Sequence, residues 1–177
     1  MWGDAGIENA NRSTTKLFTV SFFGHRIVLE FREAEERVEA VIHTLLLENE
    51  YVEFLVGRNG DFDQIVTSAV KRQQRRIRDD NSALIWILPY PTAELRDNLE
   101  SFEAYYDEIE ICEAASRSHP KSAIQIRNLQ MVDRSDLVVF YVDHSSGGAY
   151  QTLRYAQRKN KALLNLAYFR RDRRELL

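Results

Sequence analysis

Three short stretches carry the residue types that can hold a ligand. The first is "DHSSGGAYQT", residues 143–152. An apolar run ends at Asp143, and two serines and two glycines lead into what reads as a helix. Glycines let the backbone approach a ligand closely. A helix starting near Gly148 points free N–H groups, backed by the positive end of its dipole, at the loop. Ser145, Ser146 and Thr152 add hydroxyls, and together with Gly147 and Gly148 the set suits a phosphate. The same residues also suit a plain strand-to-helix turn with Ser146 as N-cap.

The second stretch is "FFGHR", with Gly24, His25 and Arg26. Arginine can fork onto phosphate or carboxylate. Histidine can donate to a phosphate or stack on a base. Alternatively, His25 bonds a backbone carbonyl and Arg26 pairs with Glu30 or Glu33. The third is "VGRNGDFD", with Gly57, Asn59, Gly60 and Asp63. Asp61, with Gln64 at capping-box spacing, is expected as the N-cap of the following helix. Asp63 either complements the dipole of that helix or accepts from a ribose hydroxyl. Asn59-Gly60 is a common turn pair.

Periodicity supplies the elements that position these stretches. Residues 17–23 and 53–57 read as strands, each ended by glycine. Residues 83–90 and 137–142 are continuous apolar runs, as expected of parallel strands covered on both faces. Residues 30–50, 61–78, 92–106, 122–136 and 148–160 read as helices, with 113–121 a loop, 107–112 a short strand and 162–167 a last strand. The stripe Phe31, Ala34, Val38, Val41, Ile42, Leu45, Leu46 is the clearest amphipathic pattern. Strands alternating with helices predict a three-layer α/β/α, Rossmann-like fold with a mostly parallel sheet of five or six strands. All three stretches then fall on the carboxyl edge of the sheet, where such folds bind ligands. Five of the seven glycines lie in or beside them.

Composition bounds the rest. A length of 177 residues, with 44% hydrophobic and 29% charged, fits one folded domain. The expected layout is a flexible lead-in at 1–15, a single domain at 16–167 and a charged tail at 168–177. Net charge is -3, so a general nucleic-acid binder is not expected. Cys112 is the single cysteine, which excludes an intrachain disulfide and fits a cytoplasmic setting. No apolar stretch has membrane-spanning length, and the first fifteen residues lack a secretory pattern. His25, His43, His119 and His144 lack metal-site spacing, so no metal is expected. The basic stretches "KRQQRRIR" and "RRDRR" read as a solvated helix end and a solvated tail.

With these stretches in hand, the chain resembles the SLOG superfamily, Rossmann-like domains related to the cytokinin-activating LOG proteins and to the DNA-processing protein DprA. The likeness is to a small bacterial branch of single-domain members. It rests on "FFGHR", on a "VGxxGxFD" loop, and on "IQIRNLQMVDRSDLVVFYVDHSSGGAYQTLRYAQRKNKALLNLA", residues 124–167. The resemblance implies a nucleotide or nucleotide-derived ligand at the carboxyl edge. It carries Gly24, His25, Arg26, Gly57, Asn59, Gly60, Asp63, Ser146, Gly147, Gly148 and Thr152 as ligand candidates. Arg127 and Asp133 belong to the same pattern; Asp133 and Ser135-Asp136 also suit a role in ordering a helix-to-strand turn.

LOG enzymes carry "GGxGTxxE", whose glutamate serves their hydrolysis. Here "GGAYQTLR" has Tyr150 for the third glycine and Arg154 for the glutamate, and arginine cannot act as that acid or base. The reading is therefore a ligand-binding module, a sensor of a small nucleotide derivative, with no cofactor beyond that ligand. The alternative is a small-nucleotide hydrolase cleaving an N-glycosidic or phosphoester bond. DNA binding as in DprA needs a basic face that the net charge does not advertise. A homodimer is implied by the LOG relatives.

Overall fold

The computed structural model describes residues 15–168. The flexible lead-in and the charged tail expected from the sequence lie outside these residues, Thr15 and Tyr168 excepted. Six strands form one sheet: β1 (Leu17–Gly24), β2 (Tyr51–Val56), β3 (Ser82–Leu88), β4 (Glu108–Ile111), β5 (Leu137–Tyr141) and β6 (Ala162–Asn165). Their order is β4-β3-β2-β1-β5-β6, and every pairing is parallel. The long helices are α1 (Phe31–Glu48), α2 (Asp61–Arg76), α6 (Pro120–Arg134) and α7 (Gly147–Arg158); α3 (Ala93–Asp97), α4 (Leu99–Tyr105) and α5 (Glu113–Ser116) are short. The fold is the three-layer, Rossmann-like α/β architecture that the alternation predicts.

Strand alternation divides the core between the two faces. Val20, Phe22, Val52, Phe54 and Leu84 pack with Ala34, Val38 and Ile42 of α1 and Phe62, Ile65, Val66 and Ala69 of α2. Phe23, Leu55, Ile85, Val138 and Phe140 pack on the other face with Ala123, Met131 and Val132 of α6 and Leu153 and Ala156 of α7. Phe54 and Leu55 are both fully buried, one on each face. That is why the central strands read as unbroken apolar runs. Each such side chain contributes roughly 1.5–3 kcal/mol by leaving water.

Three local expectations need correction. Residues 92–106 form two short helices. Asn98 adopts a non-helical backbone (φ -129, ψ 24), and its amide closes the first helix on Glu94 O at 3.0 Å. The stretch 113–121 holds a short helix, and α6 starts at Pro120, where His119 Nδ1 accepts from Lys121 N. Pro120 fits because the first helical position needs no donor. Finally, Gly60 and not Asp61 is the N-cap of α2. Asp61 instead accepts from Val28 N at 3.0 Å and donates its own N–H to Arg26 O at 2.8 Å. It clips the segment after β1 onto α2.

Helix-to-strand turns are held by polar groups on the opposite edge. Asp136 accepts from Thr19 N at 2.8 Å, and the Ser135 hydroxyl meets Ser21 Oγ at 2.7 Å. Asp107, before β4, accepts from Leu84 N at 2.7 Å, Lys71 Nζ at 3.0 Å and Gln74 Nε2 at 3.3 Å. Burial alone pushes the Asp107 carboxyl up, but these donors outweigh it and hold it below its ordinary range. Asp107→Ala should therefore cost about 1–2 kcal/mol near neutral pH, less than a fully buried charged bond because the side chain is partly exposed. A depressed carboxylate stabilises above its unfolded value and loses that stabilisation as pH falls through its lower, folded value. Denaturant curves at neutral and acid pH should show the gap between wild type and variant closing on acidification. A gap that widens in acid would rule this account out.

Candidate functional site

The order β4-β3-β2-β1-β5-β6 reverses direction between β1 and β5. The chain leaves β1 toward one face and β5 toward the other, so their carboxyl ends part and leave a crevice. A cleft of about 370 Å³ lies there, lined by Phe22, Phe23, Gly24, His25, Arg26, Gly57, Asn59, Asp63, Ile124, Arg127, Asn128, Gly147, Gly148 and Ala149. The fold thus brings nine of the sequence-selected residues to one opening: Gly24, His25, Arg26, Gly57, Asn59, Asp63, Arg127, Gly147 and Gly148.

Four others lie elsewhere. Gly60 packs on the loop after β1, where an added Cβ would sit 2.5 Å from Arg26 Cα. Ser145 and Ser146 are exposed outside the lining. Thr152 is fully buried and donates to Gly148 O at 2.8 Å, so it braces the first turn of α7 from beneath. Asp133 accepts from the Tyr155 hydroxyl at 2.8 Å, away from the cleft. Arg154, at the LOG glutamate position, is exposed and donates to Gln157 Oε1 at 3.3 Å.

The rim and the floor differ in chemistry. At the rim, Gly147 has φ +86, a conformation that favours glycine. Gly148 is exposed with no atom within 4 Å of a built Cβ. Ser146 occupies the N-cap position but its hydroxyl accepts no bond from the first turn. The amino end of α7 therefore faces the cleft without a side-chain cap, a ready anion seat. Arg26 is exposed and makes no ion pair among the described residues. At the floor, Arg127 is 3% exposed and donates from Nη1 to Ile87 O at 2.7 Å. Gly57 lies beside it: a Cβ there would sit 2.9 Å from Arg127 Nη1 and 3.3 Å from Asp63 Oδ2. Asp63 Oδ2 accepts from Asn59 N at 2.7 Å.

Burial raises the Asp63 carboxyl above its ordinary value, with the Asn59 N–H and the Arg127 charge opposing. Burial likewise lowers Arg127, opposed by Asp63. Arg127 Nε and Asn128 Oδ1 are buried with no hydrogen-bond partner. Both atoms lie beneath the cleft surface, out of contact with solvent.

Asp143 and His144 open the third stretch and are not among its ligand candidates, though Asp143, like Asp63, is a carboxylate that could stand in for the missing LOG glutamate; both stand at the β1/β5 corner of the site. His144 stacks on His25 with ring centroids 3.6 Å apart and planes at 12°. Asp143 Oδ1 lies 2.6 Å from His144 Nδ1 and 3.5 Å from His25 Nε2. The second separation is within ion-pair reach but is not a hydrogen bond, since His25 Nε2 has no such partner. Burial lowers the His25 pKa, His144 reinforces the shift and Asp143 opposes it, so the charged form of the ring is disfavoured. The signal available in sequence was the adjacency of Asp143 and His144 to the glycine loop.

No family model and no curated protein matches the chain. Solved structures do match in fold. DNA processing protein A from Helicobacter pylori, described for its single-stranded DNA binding mode, superposes with a TM-score of 0.59 at 15% identity, over 88% of this chain and 67% of that one. DNA processing protein A (DprA) from Streptococcus pneumoniae gives 0.61 at 14% identity, over 83% and 49%. The chain therefore spans two thirds of the first and about half of the second. The first of these neighbours, described as binding single-stranded DNA, speaks against two expectations: that the ligand is a small nucleotide to be sensed or hydrolysed, and that nucleic acid is an unlikely partner of this fold. A net charge of -3 sums the whole surface and does not by itself exclude a nucleic-acid partner. Among the described residues no helix is long and apolar enough to cross a membrane. At this identity the likeness is one of fold: the chain has the DprA-like Rossmann fold.

Proposed function

We propose that the chain binds single-stranded nucleic acid across the carboxyl edge of its sheet. One backbone phosphate sits on the amino end of α7 at Gly147-Gly148, with Arg26 as its counter-charge, and the adjoining nucleoside lies over the cleft toward Asn59 and Asp63. The observation that carries the reading is the uncapped end of α7 opening onto the β1/β5 crevice. The DprA-like fold supports a polymeric ligand, and the likeness of residues 124–167 to the SLOG pattern supports the same edge. The finer assignment to that superfamily is part of the proposal.

Fluorescence anisotropy with a labelled oligothymidylate tests it. Saturable binding is expected at low salt, stronger than to a duplex of equal length and weakening steeply as salt rises. Gly148→Asp sets a carboxylate against the phosphate and should weaken binding about tenfold or more, by like-charge repulsion at the anion seat. Arg26→Ala should lower the salt slope by about one. Both positions are exposed, so neither variant should unfold the chain. Absence of saturable binding at roughly 50 mM salt, or equal affinity of wild type and Gly148→Asp, would refute the reading.

A further inference from the structure

We propose that His25, Asp143 and His144 form a site for a divalent transition-metal ion at the β1/β5 corner. The inference does not depend on the nucleic-acid reading. One ligand atom from each residue lies within 4.8 Å of the other two. The His25 side chain is only 10% exposed, and its Nε2 points at this corner with no hydrogen-bond partner. A buried ring nitrogen without a partner is unusual, and an ion is one thing that satisfies it. The His25 Nε2 to Asp143 Oδ1 separation is 3.5 Å. Two ligands each roughly 2.1 Å from one ion at a tetrahedral angle are about that far apart.

His144 is the ligand that has to move. A lone pair on imidazole lies in the ring plane, so two rings stacked 3.6 Å apart do not aim at one ion. The His144 side chain is 51% exposed, so solvent and not protein lies on its open side. Turning it out of the stack breaks its bond to Asp143 and brings a ring nitrogen to the ion. Two imidazoles and one carboxylate suit zinc, cobalt, nickel or copper better than magnesium or calcium, which prefer all-oxygen shells. Three protein ligands leave a coordination position open for water or a phosphate oxygen.

The spacing in sequence hid this set, because His25 and His144 follow different strands and meet only through the pairing of β1 with β5. The test is a Co²⁺ titration of untagged, chelator-treated full chain, followed by visible absorption and equilibrium dialysis. One saturating Co²⁺ per chain with a visible band, displaced by Zn²⁺, is expected. His144→Ala and Asp143→Asn should each weaken uptake about tenfold or more, since even second-shell losses cost that much. His119→Ala, which removes the α6 cap, should leave uptake unchanged. Circular dichroism establishes that each variant is folded. Absence of stoichiometric uptake, or uptake that His144→Ala and Asp143→Asn leave intact, would overturn the site.

Discussion

Replacing Arg127 by alanine is expected to lower the unfolding free energy by about 3 kcal/mol, among the largest effects of any single change near the cleft. The guanidinium is 3% exposed and donates to the carbonyl of Ile87 at the end of β3. Its charge also offsets the burial of Asp63. Alanine leaves the Ile87 carbonyl unpaired, a carboxyl with less compensation and a void where the long side chain lay. Arg127→Met separates these causes. It fills most of the volume without the charge, so it should recover the cavity part of the loss and none of the electrostatic part. Adding Asp63→Asn to Arg127→Met removes the uncompensated carboxyl, and the double variant should be more stable than the sum of the two singles predicts. Urea midpoints measured across the four proteins give the coupling directly. A loss below 1 kcal/mol in Arg127→Ala would mean that water enters the floor and replaces the guanidinium.

The parts of the fold governed by local periodicity were legible in the chain. The apolar runs at 83–90 and 137–142 read as doubly covered parallel strands because their residues alternate between two cores. The glycine-rich stretches marked the carboxyl edge for the same reason that they line the cleft: backbone and helix end come close there. What was not legible depends on pairings between distant segments. Nothing in the spacing of His25 and His144 says that β1 and β5 are neighbours. Thr152 looked like a hydroxyl donor to a ligand, but its position on α7 turns it inward, onto Gly148 O. Asp61 looked like a helix cap, but Gly60 is seated against the Arg26 backbone and takes the capping position, freeing the carboxylate to hold Val28. Much of the segment 124–167 that carried the family likeness bonds to itself, as in Asn128 to Thr152, Tyr155 to Asp133, and Lys161 to the carbonyls of Asp133 and Ser135. A pattern of that kind specifies how α6, β5, α7 and β6 fit together, and it says less about the ligand than its length suggests.

Gly24→Ala is expected to destabilise the fold by about 2–3 kcal/mol through overpacking and to loosen the cleft at the same time. Gly24 ends β1 and pairs with Tyr141 on β5. A Cβ built on it would stand 2.4 Å from Phe62 Cγ and 2.5 Å from Phe62 Cβ. Phe62 has no easy retreat: it is 1% exposed and stacks on Tyr141 with centroids 5.6 Å apart. It lies in the first turn of α2, between Asp61, which holds the segment after β1, and Asp63, which shapes the floor. Relief of the clash therefore has to move that turn away from β1, and both contacts move with it. Gly148→Ala is the matched comparison. No atom lies within 4 Å of its added methyl, and the site is in the first turn of α7. It should hold or gain up to about 1 kcal/mol by narrowing the unfolded ensemble. Urea unfolding of the two variants side by side separates a glycine required by packing from one that stands in open space. If Gly24→Ala falls within about 0.5 kcal/mol of wild type, the size of an ordinary surface change, Phe62 relaxes freely and the α2 turn is not fixed by β1. If it falls as expected while Gly148→Ala stays folded and binds the oligonucleotide less tightly, the crevice is rigid at its β1 side and open at its α7 side, the arrangement that lets a phosphate approach the helix end without displacing protein.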